Sequence, residues 1–148
     1  MLTYHQSTTV NDDPFIHPEY LNFVKISSKK PLHKSRVAIH LIAVTGLRFS
    51  EAMGVDLTDI DRDNKLIHIT KTYKVYGKSK GYAPTKNPSS LRDVPISQET
   101  IKLLDEYIAT FRPVQRIIEG LSNTAANKAL KRLVGRDVHV HSLRYIVK

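Results

Sequence analysis

The chain has 148 residues, 41% of them hydrophobic and 25% charged, a length and balance that suit one globular core and argue against disorder. Lys and Arg number 23 against 14 Asp and Glu, a net charge of +9, which is the footprint of a domain that meets a polyanion, nucleic acid first. With no cysteine in the sequence, disulfides, thiolate metal sites and cysteine nucleophiles are all excluded.

The start, Met1-Leu2-Thr3-Tyr4-His5, has no basic segment leading into an apolar one, and the longest apolar run, Val37 to Val44, is interrupted by His40. Neither fits a signal peptide or a bilayer span, so the expectation is a soluble, cytoplasmic protein with no membrane partner. Residues 1–32 read as a lead-in, broken at Asn11-Asp12-Asp13-Pro14 and Lys29-Lys30-Pro31, with one short helix near Glu19 to Val24. From Lys34 to Thr45 the spacing predicts a helix with Val37, Leu41 and Val44 on one face, extended by Ala38 and Ile42, and Gly46 is a natural stop. A second short helix follows at about Ser50 to Gly54. Asp56 to Asn64 is rich in turn residues. Leu66, His68 and Thr70 then alternate with Ile67, Ile69 and Lys71 at the period of a strand.

Residues 73–90, with Gly77, Gly81, Pro84 and Pro88, read as a long hairpin connection, and Arg92 to Ile96 as a short strand that Pro95 confines to an edge or an end. Ser97 caps a helix with an Ile101, Leu104 and Ile108 stripe, ended by Phe111-Arg112-Pro113. Asn123 or Ser122 caps another, carrying Ala126, Ala129, Leu130 and Leu133 and stopping at Gly135. A last helix is expected to begin near His141 and run on to the end at Lys148. Together these elements predict an α+β fold, mostly helical, with a small antiparallel β-sheet near residues 65–96.

Three stretches carry more than secondary structure. Thr45-Gly46-Leu47-Arg48-Phe49-Ser50-Glu51 resembles the Thr-Gly-x-Arg-x-x-Glu box of the tyrosine recombinases, the phage-integrase type of DNA strand transferase. Thr85-Lys86-Asn87-Pro88-Ser89-Ser90-Leu91-Arg92-Asp93-Val94-Pro95-Ile96 resembles that family's Thr-Lys-x-x-x-Ser-x-Arg-x-Val-Pro-Ile hairpin, and His141-Ser142-Leu143-Arg144 its His-x-Leu-Arg box. The boxes stand in the family's order over residues 33–148. The resemblance implies the catalytic core of a site-specific recombinase, which cleaves and rejoins DNA strands through a phosphotyrosine intermediate. It names Arg48, Lys86, His141 and Arg144 as catalytic, with duplex DNA at attachment sites as partner, higher-order assembly on DNA for the full-length protein, and no cofactor or metal.

The chemistry accounts for these residue types. Attack on a phosphodiester builds negative charge on the non-bridging oxygens, and two guanidiniums, always charged and able to bind two oxygens each, suit that charge. Arg48 and Arg144 are the expected clamp, with Glu51 a structural carboxylate beside it. His141 is expected to donate to the same phosphate or assist proton transfer, and Lys86 to protonate the leaving 5′ oxygen, with Lys78 the alternative for that role. Between Lys71 and Arg92 lie six basic residues and no acidic one, interleaved with Tyr73, Tyr76 and Tyr82. Lys71, Lys74, Lys78, Lys80 and Arg92 are therefore expected to touch the DNA backbone, positioning without specifying. Lys128, Lys131, Arg132 and Arg136 either add phosphate contacts or form an outer helix face.

The sequence departs from the family in two ways. The family's later histidine or tryptophan box and its tyrosine nucleophile are expected well beyond Arg144. Tyr145 is no substitute, because it adjoins Arg144 and would point about 100° away on a helix; the family commonly has histidine at its position. The expectation is a partial catalytic domain over 33–148, lacking the tyrosine segment and the N-terminal core-binding domain, that does not itself cut DNA. The alternatives are a non-catalytic DNA-binding remnant and a domain like type IB topoisomerases, against which the wording of the first two boxes argues.

Overall fold

The structure, a computed structural model, describes residues 3–4, 32–78, 80–85, 87–134 and 146–147. In chain order its elements are β1 (Thr3–Tyr4), α1 (Lys34–Thr45), α2 (Phe49–Met53), β2 (Ile60–Asp61), β3 (Leu66–Ile69), β4 (Thr72–Lys74), β5 (Gly81–Ala83), β6 (Arg92–Pro95), α3 (Gln98–Phe111), α4 (Asn123–Val134) and β7 (Ile146–Val147), with 3-10 turns at Leu57–Asp59 and Pro88–Ser90. These fall into two compact units, one of Met1–Arg48 with Asn123–Lys148 and one of Phe49–Ser122. The mostly helical α+β fold with small antiparallel sheets is the one expected.

In the first unit α1 is buried on every side from Val37 to Ala43, His40 included. The sequence had suggested a one-sided stripe ending at Val44, which is in fact half-buried. The difference has a plain cause: Ile39 and Ala43 complete the circle, so this stretch has no polar face to offer solvent. Gly46 ends the helix at φ +75° with its N–H donating to the Ile42 carbonyl at 2.8 Å, a left-handed position that suits glycine. α4 packs on α1 and fully buries Ala126 and Leu130, while Ala129 and Leu133 are half-buried beside a cleft shared with His33, Ser35, Arg36 and Arg132. The unit also holds a surprise at its ends. β1 pairs antiparallel with β7, so Ile146–Val147 is strand where a helix was expected. The expected helix near Glu19 to Val24, the stop at Gly135 and the start near His141 lie outside the described residues.

The second unit is built on an antiparallel sheet of order β2-β3-β6. Ile67 and Ile69 point into its core while Leu66 and His68 are half-buried, as the alternation requires. Pro95, which cannot donate to a ladder, sits on the edge strand β6. α3 opens with the Ser97 hydroxyl accepting from the Thr100 N–H at 3.1 Å and buries Thr100, Ile101, Leu103, Leu104 and Tyr107. The stripe centres on Leu104, so Ile108, expected inside, is only half-buried.

Residues 73–90, read from sequence as a connection, contain a second two-stranded ladder. Thr72 faces Ala83, Tyr73 faces Tyr82 and Lys74 faces Gly81. The two tyrosine rings meet edge to face at 5.2 Å, a cross-strand pair strong enough to help hold so short a hairpin. Gly54 lets β4 approach the end of α2: a Cβ there would lie 2.8 Å from the Lys71 carbonyl oxygen and the Thr72 backbone. Among the described residues no helix is long and apolar enough to cross a membrane.

On the exposed face of the sheet His68 meets its cross-strand neighbour Asp93, Nδ1 to Oδ1 at 2.6 Å, and Asp61 through Nε2 at 3.5 Å. The hydrogen bond to Asp93 raises the His68 pKa above 6.5 against a smaller desolvation, with the charges of Asp93 and Asp61 adding to it. The Asn64 side chain and backbone N–H hold Asp61 below 3.8. A raised histidine stabilises fully below 6.5 and loses that contribution as pH rises through its folded value; a lowered carboxylate stabilises fully above 3.8 and loses it as pH falls through its own. Both contributions are therefore complete between about pH 3.8 and 6.5. In a proton NMR titration the His68 ring should have its midpoint above 6.5, and Asp93→Asn should bring it back down; a midpoint indifferent to Asp93 would refute the pairing.

Candidate functional site

Arg48 stands two residues past the glycine that ends α1. Its place is set by the helix end and by its neighbour: the Thr45 hydroxyl donates to the Leu41 carbonyl at 2.6 Å and accepts from the Leu47 N–H at 3.3 Å, and Leu47 is fully buried. Arg48 itself is half-buried. The backbone that leads into it is thus held by hydrogen bonds and by packing.

In the second unit Glu51, only 2% exposed, receives both ends of the Arg92 guanidinium, Nη1 on Oε2 at 3.0 Å and Nη2 on Oε1 at 3.1 Å. Arg92 Nη1 also donates to the Ser90 carbonyl at 2.7 Å. The glutamate of the first box and the arginine of the second therefore clamp α2 to the start of β6. Just before, Asn87 organises the turn that follows residue 86. Its side-chain oxygen accepts from the Ser89 hydroxyl and, at 3.2 Å, from the Ser90 hydroxyl, and its carbonyl accepts from Thr85 Oγ1 at 3.0 Å.

The basic residues of the hairpin divide into two kinds. Lys71 is drawn inward, its ammonium 3.1 Å from Asp56 and 3.0 Å from Asp59. Partial burial works against its charge, but the hydrogen bonds to Asp59 and Asp56 outweigh it and raise its pKa. Lys74, Lys78 and Lys80 are exposed, as is Tyr76 at 69%. Lys128 and Arg132 on α4 are exposed and Lys131 is half-buried. Arg136, Lys86, His141 and Arg144 lie outside the described residues. Among the described residues no group of three or more His, Asp or Glu gathers as a metal site.

Sequence reading missed a cluster behind the hairpin. The Tyr82 hydroxyl donates to Asp56 at 2.7 Å. The Arg116 guanidinium lies 3.5 Å over the Tyr73 ring and donates to the carbonyls of Met53 at 3.1 Å and Ile118 at 2.8 Å. Asp56 and Arg116 are joined by a β-bridge. Glu119 steadies the loop before it by accepting the N–H groups of Val114, Gln115 and Arg116; burial pushes its pKa up, but those bonds prevail and lower it. The interleaved tyrosines were the only sequence signal, and their partners Asp56 and Arg116 are distant in sequence, Asp56 by 26 positions.

This fold is shared with the site-specific recombinases. The Tn1549 transposon integrase, solved in complex with transposon right-end DNA, superposes with a TM-score of 0.71 at 19% identity, covering 95% of this chain and 53% of that one. XerA recombinase gives 0.66 at 14%, covering 94% and 49%, and a lambda integrase tetramer bound to a Holliday junction 0.56 at 20%, covering 93% and 42%. The chain thus spans about half the length of these structures. Residues 16–147 match the Phage integrase family, and the chain belongs to that family. No curated protein sequence matches it.

Removing Arg92 takes the two-pronged partner from a carboxylate that is 2% exposed, whereas Arg92 is 33% exposed and keeps the Ser90 carbonyl when Glu51 is lost. Arg92→Ala should therefore cost about 3 kcal/mol in urea unfolding, in the range for breaking a buried pair. Arg92→Lys, which keeps the charge and loses the two-pronged contact, should cost part of that. A loss below about 1 kcal/mol for Arg92→Ala would put the pair among surface ion pairs and remove its structural importance.

Proposed function

We propose that the chain is catalytic-domain sequence of a site-specific DNA recombinase that breaks and rejoins strands through a phosphotyrosine intermediate, acting in the cytoplasm on duplex DNA. The observation that carries this reading is that the family match covers residues 16–147 and so takes in all of Arg48, Lys86, His141 and Arg144. In this reading Arg48 and Arg144 hold the non-bridging oxygens of the scissile phosphate, each through two N–H bonds. His141 donates to the same phosphate. Lys86 delivers a proton to the 5′ oxygen as its bond to phosphorus breaks, so that the strand leaves as an alcohol. Positive side chains supply the charge that the pentacoordinate state needs.

Lys74, Lys78 and Lys80, exposed on the hairpin, are the proposed backbone contacts. Lys71 and Arg92 are engaged with Asp56, Asp59 and Glu51, which supports a structural duty for both beside any contact with DNA. Two of the similar structures hold DNA, and one of them is a tetramer; assembly of several copies on DNA is proposed for the whole protein on that likeness. Changing Lys74, Lys78 and Lys80 to Ala should weaken binding to any duplex and lower the slope of log K against log salt by about 2 to 3, since each phosphate contact contributes about 0.9. Binding that is insensitive to salt would exclude the hairpin as the contact.

The 148-residue polypeptide itself is proposed to bind without cutting. After the His-x-Leu-Arg box its one tyrosine is Tyr145, next in sequence to Arg144 and so ill placed to attack the phosphate Arg144 would hold. Incubated with a nicked suicide duplex and run on a denaturing gel, it should give no DNA-shifted band; a band that survives denaturation would identify a nucleophile in this chain.

A further inference from the structure

We propose that the cleft between the start of α1 and the end of α4 binds a terminal phosphate group, inorganic phosphate or a phosphate monoester, at a site separate from the one Arg48 is proposed to serve. The cleft holds about 170 Å³ and is lined by His33, Ser35, Arg36, Ala129, Arg132 and Leu133. Ala129, Arg132 and Leu133 are three and four positions apart, so a single face of α4 makes one wall. The first turn of α1 and the residue before it make the other. α1 has twelve residues, about 18 Å of helix, and Arg48 lies beyond its far end, so one phosphate cannot serve both places.

The two arginines come from distant parts of the sequence, and among the described residues neither guanidinium has a hydrogen bond or an ion pair. Arg62, Arg92 and Arg116, by contrast, spend theirs on Asp105, Glu51 and backbone carbonyls. The two helices contribute Lys34, Arg36, Lys128, Lys131 and Arg132 and not one acidic residue, so neither helix offsets the charge that the cleft gathers. A bound anion does. Half-buried Ala129 and Leu133 add apolar surface, which reduces the screening of that charge by water. The donors decide which anion fits. Each guanidinium offers a planar fork for two oxygens, Ser35 adds a hydroxyl and His33 a ring nitrogen. A carboxylate or a phosphodiester has two charged oxygens, enough for one fork. A terminal phosphate carries more charge and three strong acceptor oxygens, enough for both forks and the hydroxyl. The cleft has room for such a group and little else, since a drug-sized ligand needs about 300 Å³ or more.

An NMR titration of the whole chain with inorganic phosphate, at an ionic strength held constant with chloride, tests the site. The His33 ring signals should move along a saturable curve while those of His68, in the other unit, stay where they are. Arg36→Gln and Arg132→Gln should each raise the dissociation constant about tenfold, the loss of a charge-assisted hydrogen bond. Lys34→Gln removes the same charge from the same turn of α1 without altering the lining, and should raise it less than about twofold. Arg132 is exposed, so its replacement leaves the packing of α4 intact, and the signals of buried His40 on α1 report that each variant folds. A shift that is linear in phosphate, or a loss as large for Lys34→Gln as for the arginines, would mean diffuse charge and overturn the site. Duplexes of one sequence with 5′-phosphate or 5′-hydroxyl ends, added to the phosphate-loaded chain, then separate the sources. Displacement by the 5′-phosphorylated duplex alone makes the occupant a strand end, and displacement by neither makes it free phosphate or a small ester. Equal displacement by both would place internal phosphodiesters in the cleft and overturn the assignment to a terminal phosphate.

Discussion

The contact on which the second unit depends is the ion pair between Glu51 and Arg92. A carboxylate that is 2% exposed has given up its water, and only a partner of matching shape can make that tolerable. The planar guanidinium does so with two bonds and spends a third on the Ser90 carbonyl. One side chain thereby fastens the short helix after Arg48, the 3-10 turn after residue 86 and the first residue of β6. Such a pair is weak evidence for extra stability compared with an apolar substitute. What it provides is register: neither helix nor strand can slide by a residue without stranding a buried charge.

A second set of polar contacts does for the hairpin what the ion pair does for α2. The β4–β5 ladder is short and largely polar, and it lies apart from the β2-β3-β6 sheet. It is held by the tyrosine pair, by Arg116 stacked on Tyr73 and by Asp56 at the hydroxyl of the exposed Tyr82. Its outer side keeps Lys74, Lys78 and Lys80 in solvent. The division suits the proposed work. A surface that meets a polyanion needs unspent positive charge, whereas the strands that carry it need partners that do not let go when DNA arrives.

The first two of the three boxes therefore hold two kinds of residue. Arg48 and Lys86 are proposed to act on DNA, while Glu51, Asn87, Ser90 and Arg92 tie α2 to the turn at Pro88–Ser90 and the start of β6. A motif defined by recurrence does not distinguish these duties. Arg92 illustrates the difficulty. By charge and position it belonged with the DNA contacts, and only its distance to a buried glutamate, 41 positions earlier, reveals the structural duty.

The sequence by itself determined α1 to α4, the edge strand with its proline, the glycine stop before Arg48 and the family, because each rests on local spacing or on short runs of neighbouring residues. α1, capped at Gly46, and α3, capped at Ser97, lie close to where periodicity placed them. Tertiary structure alone decided the rest. It buried α1 all round, turned a polar connection into the β4–β5 ladder, set Ile146–Val147 in a strand with Thr3–Tyr4, and sorted the lysines into those paired inside and those left outside. The reason is common to all of these. Each depends on which distant residue comes to face a given one, and a charge or a short polar run carries no record of its partner until the chain has folded.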